Sequence, residues 1–343
     1  MKISVECSSW NNIGNAWFQI SLFNLLKSMY PQHEVLVEDS HPQGAFRVRN
    51  AKQRANALRT MDYTRADLHV YVGPMVDQLP GHYRKAVENL FARGEKYCVI
   101  SASCTGASPA KVAAIGEFLR KYPPLFFATR DEETYLAFKD YVPVAYNGIC
   151  TAMLVGRTVP VAEIQLEKPF FISSFYTELE PTFSVPEGEE ATVENIGVEH
   201  HPTLWGLPYN IARHLNFTRP GQEEVGGKYI VRTVQNLNTR FNHINFAMPH
   251  SFISFNPVAY LSVVKSSEFT ISDRVHACVV SLAMNHPARF LFSTPRAGIF
   301  DRMGFDYKSH GGIMYPNMDK VDEEMYLLQK QLVKYISDSP VFS

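Results

Sequence analysis

An arginine and a histidine stand at the start of a helix that leaves a short apolar strand, in the segment Ser272 to Ala277. Apolar residues recur at helical spacing after it, and Ser272 or Asp273 is expected to cap the helix. A helix N-terminus presents unpaired N–H groups and a partial positive charge, to which Arg274 adds a forked cation and His276 a proton carrier. The segment therefore predicts an anion site. The alternative is a capped surface helix that binds nothing.

The residues around this segment form one supersecondary unit. Asn256 and Pro257 start a helix, after which Phe269–Ile271 and Ala288–Phe292 are predicted strands on either side of the helix that carries the arginine and the histidine. Strand, helix and strand at this spacing predict a βαβ crossover. Open α/β sheets bind ligands at the carboxyl ends of their strands, where the loop carrying Arg296 also emerges.

Three short motifs, in this order along the chain, resemble those of the polysaccharide pyruvyl transferase family. The first is an asparagine and glycine loop that leaves a strand and enters a helix, the second an arginine followed by acidic residues, and the third the arginine and histidine motif with its later proline turn. The first two motifs lie at Asn12–Asn15 and Arg130–Glu132. The third lies at Ser272–Ala277, and its proline turn at Thr294–Arg296.

The resemblance implies an α/β fold of two Rossmann-like lobes with a central cleft, as in glycosyltransferase-B enzymes. It also implies transfer of a pyruvyl group from phosphoenolpyruvate to two hydroxyls of a sugar, in a glycan or a glycan precursor of an exopolysaccharide or cell wall. The product is a ketal, and phosphate is released. Phosphoenolpyruvate is then a co-substrate, and no cofactor is expected.

This reaction requires a site that binds a carboxylate and a phosphate, donates a proton to the donor and accepts protons from the sugar hydroxyls. His276 and Arg274 are the candidate catalytic residues, since an imidazole exchanges protons near neutral pH and a guanidinium binds anions with two hydrogen bonds. The candidate donor-binding residues are Arg274, Arg296, Arg130 and Ser272. No metal is required, because guanidinium groups and a helix N-terminus can neutralise the negative charge of the donor.

Two further segments are candidates for holding the acceptor or lining the cleft. In the first, Asn12, Gly14 and Asn15 offer amide groups and a close backbone approach beside a helix start. In the second, His200 and Trp205 combine an imidazole with an indole, a mixture that suits a sugar. The alternatives are turn and cap residues for the first and a surface loop for the second. Adjacent histidines rarely ligate one metal, so no metal site is predicted.

Two departures from the family pattern keep other functions open. The family usually has aspartate at the position of Asn15, and serine at the position of Asp273. Asp273 is expected either to cap its helix or to hold Arg274 or His276. A non-catalytic carbohydrate-binding protein is one alternative. The other is a sugar-nucleotide-dependent glycosyltransferase, for which Asp301 is the nearest acidic residue.

Composition fits a two-lobed enzyme. The chain has 343 residues, of which 45% are hydrophobic and 20% charged, and its net charge of −1 gives no argument for nucleic acid or an anionic membrane. Two domains are predicted, residues 1–165 and 166–343. No apolar run approaches the about 18 residues that a membrane span needs.

The five cysteines form no C-x-x-C pair, and their odd number leaves at least one unbridged within the chain. A reduced, cytoplasmic chain is the simplest interpretation. The sequence leaves a homo-oligomer open.

The remaining pattern alternates strands and helices in the first half, which predicts a parallel sheet. In the second half, the acidic stretch Glu178–Glu194 contains prolines and a glycine and is expected to form an exposed excursion. The closing segment Asp322–Ser337 is amphipathic, and we expect it to pack back across the first lobe.

Overall fold

The computed structural model describes residues 1–7, 10–39, 50–215, 217, 220–238 and 242–337. Within them the chain forms two largely parallel sheets with helices packed against them, one sheet in each half of the chain. This confirms the predicted α/β class with two Rossmann-like lobes. Residues Ser8 and Ser9, which precede the predicted asparagine loop, lie outside the described residues.

The first sheet has six parallel strands in the order β2-β1-β3-β4-β5-β6, so each new strand is added by a helical crossover. The elements of this half are β1 Lys2–Cys7, α1 Ile13–Met29, β2 Glu34–Asp39, α2 Ala51–Asn56, β3 Leu68–Val72, α3 Arg84–Ala92, β4 Lys96–Ala102, α4 Pro109–Lys121, β5 Phe126–Thr129, α5 Glu132–Phe138, β6 Ala145–Asn147 and α6 Val155–Thr158. The helix predicted to start at Asn15 begins two residues earlier, so Gly14 lies inside its first turn.

The second sheet has the order β12-β13-β7-β15-β16-β17, with β14 also paired to β13. Its central strands β13, β7, β15 and β16 run parallel, which confirms the predicted βαβ unit. The elements are β7 Phe170–Ser174, β8 Thr182–Ser184, β9 Gly197–Glu199, β10 Thr203–Leu204, β11 Leu207–Pro208, α7 Tyr209–His214, β12 Glu224–Val225, β13 Lys228–Thr233, β14 Ser251–Phe252, α8 Pro257–Lys265, β15 Thr270–Ser272, α9 Val275–Ala283, β16 Ala288–Phe290, α10 Gly298–Arg302, β17 Ile313–Met314 and α11 Met318–Leu332, which continues as a wider π-helical turn over Val333–Ser337.

The acidic stretch 178–194 is not simply the exposed excursion that was predicted. It contributes β8, which pairs with β9, and its apolar residues Phe183 and Val193 are buried in a small core against the second sheet. Glu180 is also buried, and its carboxylate accepts a hydrogen bond of 2.9 Å from Nε of Arg232. The apolar side chains between the acidic ones decide where this segment lies.

The closing helix returns to the first lobe, as predicted. The ring of Tyr335 stacks on Phe126 of β5 with centroids 5.4 Å apart, and Arg157 pairs with Asp322 at 2.7 Å. The largest hydrophobic core includes residues of both halves, so the division at residues 165 and 166 stays a prediction. Among the described residues, no helix combines the length and apolarity that a membrane crossing requires.

Candidate active site

A cavity of about 200 Å³ lies between the two lobes, at the carboxyl ends of strands from both sheets. It brings together six of the residues that the sequence singled out, although they come from distant parts of the chain. These are Asn12, Asn15, Arg130, Arg274, His276 and Arg296. Three guanidinium groups and one imidazole thus share one small space.

Each cation follows directly from the end of a buried strand or from the turn after it. Arg130 comes straight after β5, and Arg274 lies two residues after β15. Arg296 lies in the 3₁₀ turn Pro295–Ala297, whose start is capped by the hydroxyl of Thr294. Because the strand ends of an open sheet converge on one edge, these side chains reach the same cleft.

Arg130 is almost fully buried, with 2% of its surface exposed. Its Nη1 lies 3.4 Å from Nε2 of His276, and its Nε has no hydrogen-bond partner among the described residues. The ion pairs that arginines form among the described residues do not include Arg130. A buried cation without an ion-pair partner is costly, so this arrangement favours an anionic ligand.

Arg274 reaches the cavity from the other lobe. Its guanidinium lies 5.4 Å from the ring centre of Tyr176, and its Nη2 is 3.5 Å from Oδ1 of Asn236. Burial lowers the pKa of Arg274, but an arginine with a reference pKa above about 12 stays protonated near neutral pH. The guanidinium therefore remains a cation that faces the cavity.

Asp273 neither caps its own helix nor holds Arg274 or His276 through a hydrogen bond, contrary to the sequence expectation. Its carboxylate accepts hydrogen bonds from the backbone amides of Tyr176, Thr177 and Glu178, the last two at 2.6 and 2.8 Å. Burial raises the pKa of Asp273, while these amide donors act in the opposite direction. The aspartate thus fixes the loop that forms one wall of the site.

Ser272 was predicted to contact the donor, but the structure places it behind the site. It is completely buried, and its hydroxyl donates to the carbonyl of Ser174 at 2.6 Å and accepts from the amide of Arg274 at 2.8 Å. Both bonds are made within the protein. Ser272 therefore positions Arg274 instead of touching a ligand.

His276 lies against the first lobe, with its ring 5.5 Å from that of Phe18. Burial, and then the charges of Arg130, Arg274 and Arg296, hold the pKa of His276 well below its usual value. The imidazole is therefore neutral in the free protein. Its proton exchange near neutral pH requires a bound anion that offsets these charges.

The contacts of His276 also fix which ring nitrogen carries the proton. Nε2 lies 3.4 Å from Nη1 of Arg130 and 3.7 Å from Sγ of Cys150. A guanidinium can only donate, so Nε2 accepts and the neutral ring carries its proton on Nδ1. Sequence reasoning did not single out Cys150, since no motif surrounds it and its buried thiol reaches His276 only through the fold.

The asparagine loop contacts the second lobe through its backbone. Asn12 forms a bridge with Asn236, and the amide of Ile13 donates to the carbonyl of Gln235 at 2.8 Å. Gly14 lies so close to His276 that a Cβ atom there would stand 2.7 Å from Nδ1. The need for glycine thus comes from the close approach of the His276 side chain.

The histidine and tryptophan segment divides between two environments. His200 lines a neighbouring cavity of about 860 Å³, which shares Arg274 and Thr177 with the central one. Trp205 is 72% exposed and is not among the described residues that line either cavity. The structure therefore places His200 beside the site and Trp205 on the surface.

The described residues contain no group of three or more His, Cys, Asp or Glu side chains arranged to hold a metal ion. All five cysteines are free thiols, and only Cys104 is not fully buried.

Comparison with known proteins gives a family and a fold. A sequence model of the family described as polysaccharide pyruvyl transferase matches residues 12–291, which is most of the chain. No curated protein sequence matches this chain significantly.

Solved structures with a similar fold include a protein described as a UDP-N-acetylglucosamine 2-epimerase from Listeria monocytogenes. It is 10% identical, with a TM-score of 0.54 over 99% of this chain and 97% of that one. The UDP-GlcNAc 2-epimerase from Neisseria meningitidis bound to UDP-GlcNAc is 9% identical, with a TM-score of 0.51 over 97% of this chain and all of the other. At this identity the likeness concerns the two-lobed fold alone.

Proposed function

Since the chain belongs to the polysaccharide pyruvyl transferase family, we propose that it transfers a pyruvyl group from phosphoenolpyruvate to two hydroxyls of a sugar in a glycan or glycan precursor. The product is a cyclic ketal, and phosphate leaves. The predicted cytoplasmic location is part of this proposal, as is the exopolysaccharide or cell-wall glycan that supplies the acceptor.

The observation that supports the proposal is the meeting of three guanidinium groups and a neutral imidazole in one cavity. Phosphoenolpyruvate carries a phosphate and a carboxylate on the same carbon, C2, so it needs several cations close together. Arg130, Arg274 and Arg296 supply them, while the carboxylate of Asp273 is occupied by backbone amides. Guanidinium groups match both carboxylate and phosphate oxygens with paired hydrogen bonds.

The reaction proceeds in two bond-forming steps. A sugar hydroxyl oxygen bonds to C2 of the donor and loses its proton, while a proton adds to the C3 methylene, which becomes a methyl group. The C2–O bond to phosphate then breaks, the phosphate leaves with the electron pair, and the second hydroxyl oxygen bonds to C2 and loses its proton. We assign the proton transfers to His276, because the negative charge of the donor raises its pKa again.

The acceptor is proposed to approach through the cavity of about 860 Å³, because this space opens beside Arg274 and is large enough for more than one sugar ring. His200 lines it, and Asn12 and Asn15 line the adjoining central cavity from the first lobe. The exposed position of Trp205 leaves it without a part in this proposal.

The test is to incubate the purified protein with phosphoenolpyruvate and a panel of sugars and to measure acceptor mass and released phosphate. In heavy water, the new methyl group should carry one deuterium. His276→Ala and Arg274→Ala should lower the rate by about 30-fold to 1000-fold, since each removes about 2–4 kcal/mol of transition-state stabilisation. Arg120→Ala is the control, because Arg120 pairs with Glu117 on the exposed face of α4.

Two results would replace the proposal. Turnover of a UDP- or GDP-sugar without use of phosphoenolpyruvate would show a glycosyltransferase. Sugar binding with no reaction of either donor would show a carbohydrate-binding protein.

A further inference from the structure

A second cavity, of about 170 Å³, adjoins the central one on the side of the first lobe. The two share Pro74, Arg130 and Arg296, so a ligand in one can extend into the other. The wall of this first-lobe cavity is the loop between β4 and α4. The proposed reaction assigns no role to this loop.

Ser103 follows β4 directly and is 5% exposed. It lines the first-lobe cavity, and its hydroxyl oxygen, which makes no hydrogen bond to a described residue, is open to that cavity. The Ser103 hydroxyl can therefore donate a hydrogen bond to an anionic ligand in this cavity. Thr105 offers a second hydroxyl on the same wall.

The charge of the first-lobe cavity selects the kind of ligand. Arg130, Arg296 and Lys111 are its cations, and its carboxylate, Asp77, is 3.0 Å from Nζ of Lys111. Arg130 is almost fully buried, and its Nε has no partner among the described residues. Buried donors together with an excess of positive charge match a compact oxyanion.

We propose that the first-lobe cavity binds the phosphate group of the donor and retains inorganic phosphate after the transfer, with Ser103 and Thr105 as its hydroxyl ligands. The identity of the donor rests on the proposed function. The carboxylate and the reacting carbon then lie in the central cavity, beside Arg274 and His276. This orientation turns the leaving phosphate away from the cavity proposed for the acceptor.

The experiment titrates the purified protein with inorganic phosphate and follows binding by calorimetry and by phosphorus NMR. Ser103→Ala should raise the dissociation constant about tenfold, because it removes a hydrogen bond to a charged acceptor. Thr105→Val, which keeps the side-chain shape, should raise it less. Ser293→Ala is the matched control, since this exposed serine lines neither cavity, and its dissociation constant should equal that of the wild type.

A kinetic measurement supplies the second test. Ser103→Ala should raise the KM for phosphoenolpyruvate and the inhibition constant for phosphate by the same factor, while leaving the affinity for pyruvate, which has no phosphate group, unchanged. Phosphate binding that depends on Ser103 in a protein without pyruvyl transfer would keep this assignment and refute the proposed function. Absence of phosphate binding by the wild type, or equal binding by Ser103→Ala, would overturn the assignment whatever the turnover shows.

Discussion

Substitution of Gly14 by alanine tests whether the first lobe positions the imidazole of His276. A Cβ atom at this position would stand 2.7 Å from Nδ1, 3.0 Å from Cβ and 3.1 Å from Cγ of His276. Nδ1 and Cγ belong to the imidazole ring, and Cβ is the atom to which the ring is attached. Phe18 contacts the same ring. The imidazole therefore has to move if the methyl group is to fit.

Two opposing contributions set the change in the free energy of unfolding. Overpacking of a tight contact costs typically about 1–3 kcal/mol, whereas replacing glycine by alanine in a helix gains up to about 1 kcal/mol. We therefore expect Gly14→Ala to lower the free energy of unfolding by about 0–2 kcal/mol. Activity should fall more, by about 100-fold, because a catalytic group displaced by about 1 Å loses that much rate.

The assay combines urea unfolding with the rate of pyruvyl transfer for Gly14→Ala, His276→Ala and the double variant. If the methyl group acts through the imidazole, most of the overpacking should be relieved once His276 is already alanine, and the coupling free energy should approach the overpacking cost of about 1–3 kcal/mol. Gly81→Ala is the control, because its nearest non-neighbouring atom would be 3.8 Å from the new Cβ. Full activity of Gly14→Ala, or strictly additive stabilities, would refute this reasoning.

Two further predictions concern charge in the central cavity. The pKa of His276 is lowered in the folded protein, so below about pH 6.5 the unfolded chain binds a proton that the native protein does not. The free energy of unfolding should then fall as the pH falls, by up to about 1.4 kcal/mol per pH unit, and urea unfolding of His276→Gln from about pH 7 to about pH 5 should show a flatter slope. An unchanged slope would contradict the lowered pKa. Asn15→Asp would place a carboxylate among the three guanidinium groups, so we expect the KM for phosphoenolpyruvate to rise about tenfold. Higher activity would instead assign a catalytic role to the aspartate that the family usually has there.

The sequence was sufficient for many of the local elements and for much of the list of cleft residues. Apolar runs marked the buried strands, and the Asn256 cap was predicted because its side chain bonds to Val258 only two residues away, at 3.0 Å. The arginines at 130, 274 and 296 were found because each follows an apolar strand, and strand ends are where an open sheet binds ligands. These features can be predicted because each depends on residues that are close in the sequence.

The contacts that determine the chemistry depend on residues far apart in the sequence. Arg130 and His276 are 146 positions apart and 3.4 Å distant in space, which is why the lowered pKa of the histidine could not be predicted. Asp273 was expected to act within its own helix, yet its partners are amides 95 to 97 positions away.

The acidic stretch 178–194 shows the same limit, because its charges indicated an exposed loop while its apolar residues pack on the second sheet. The sequence determined which side chains leave the strand ends, since this follows from local pattern. Only the tertiary structure decided which of them meet, which is buried and which ring nitrogen of His276 carries the proton, because these depend on how the two lobes pack together.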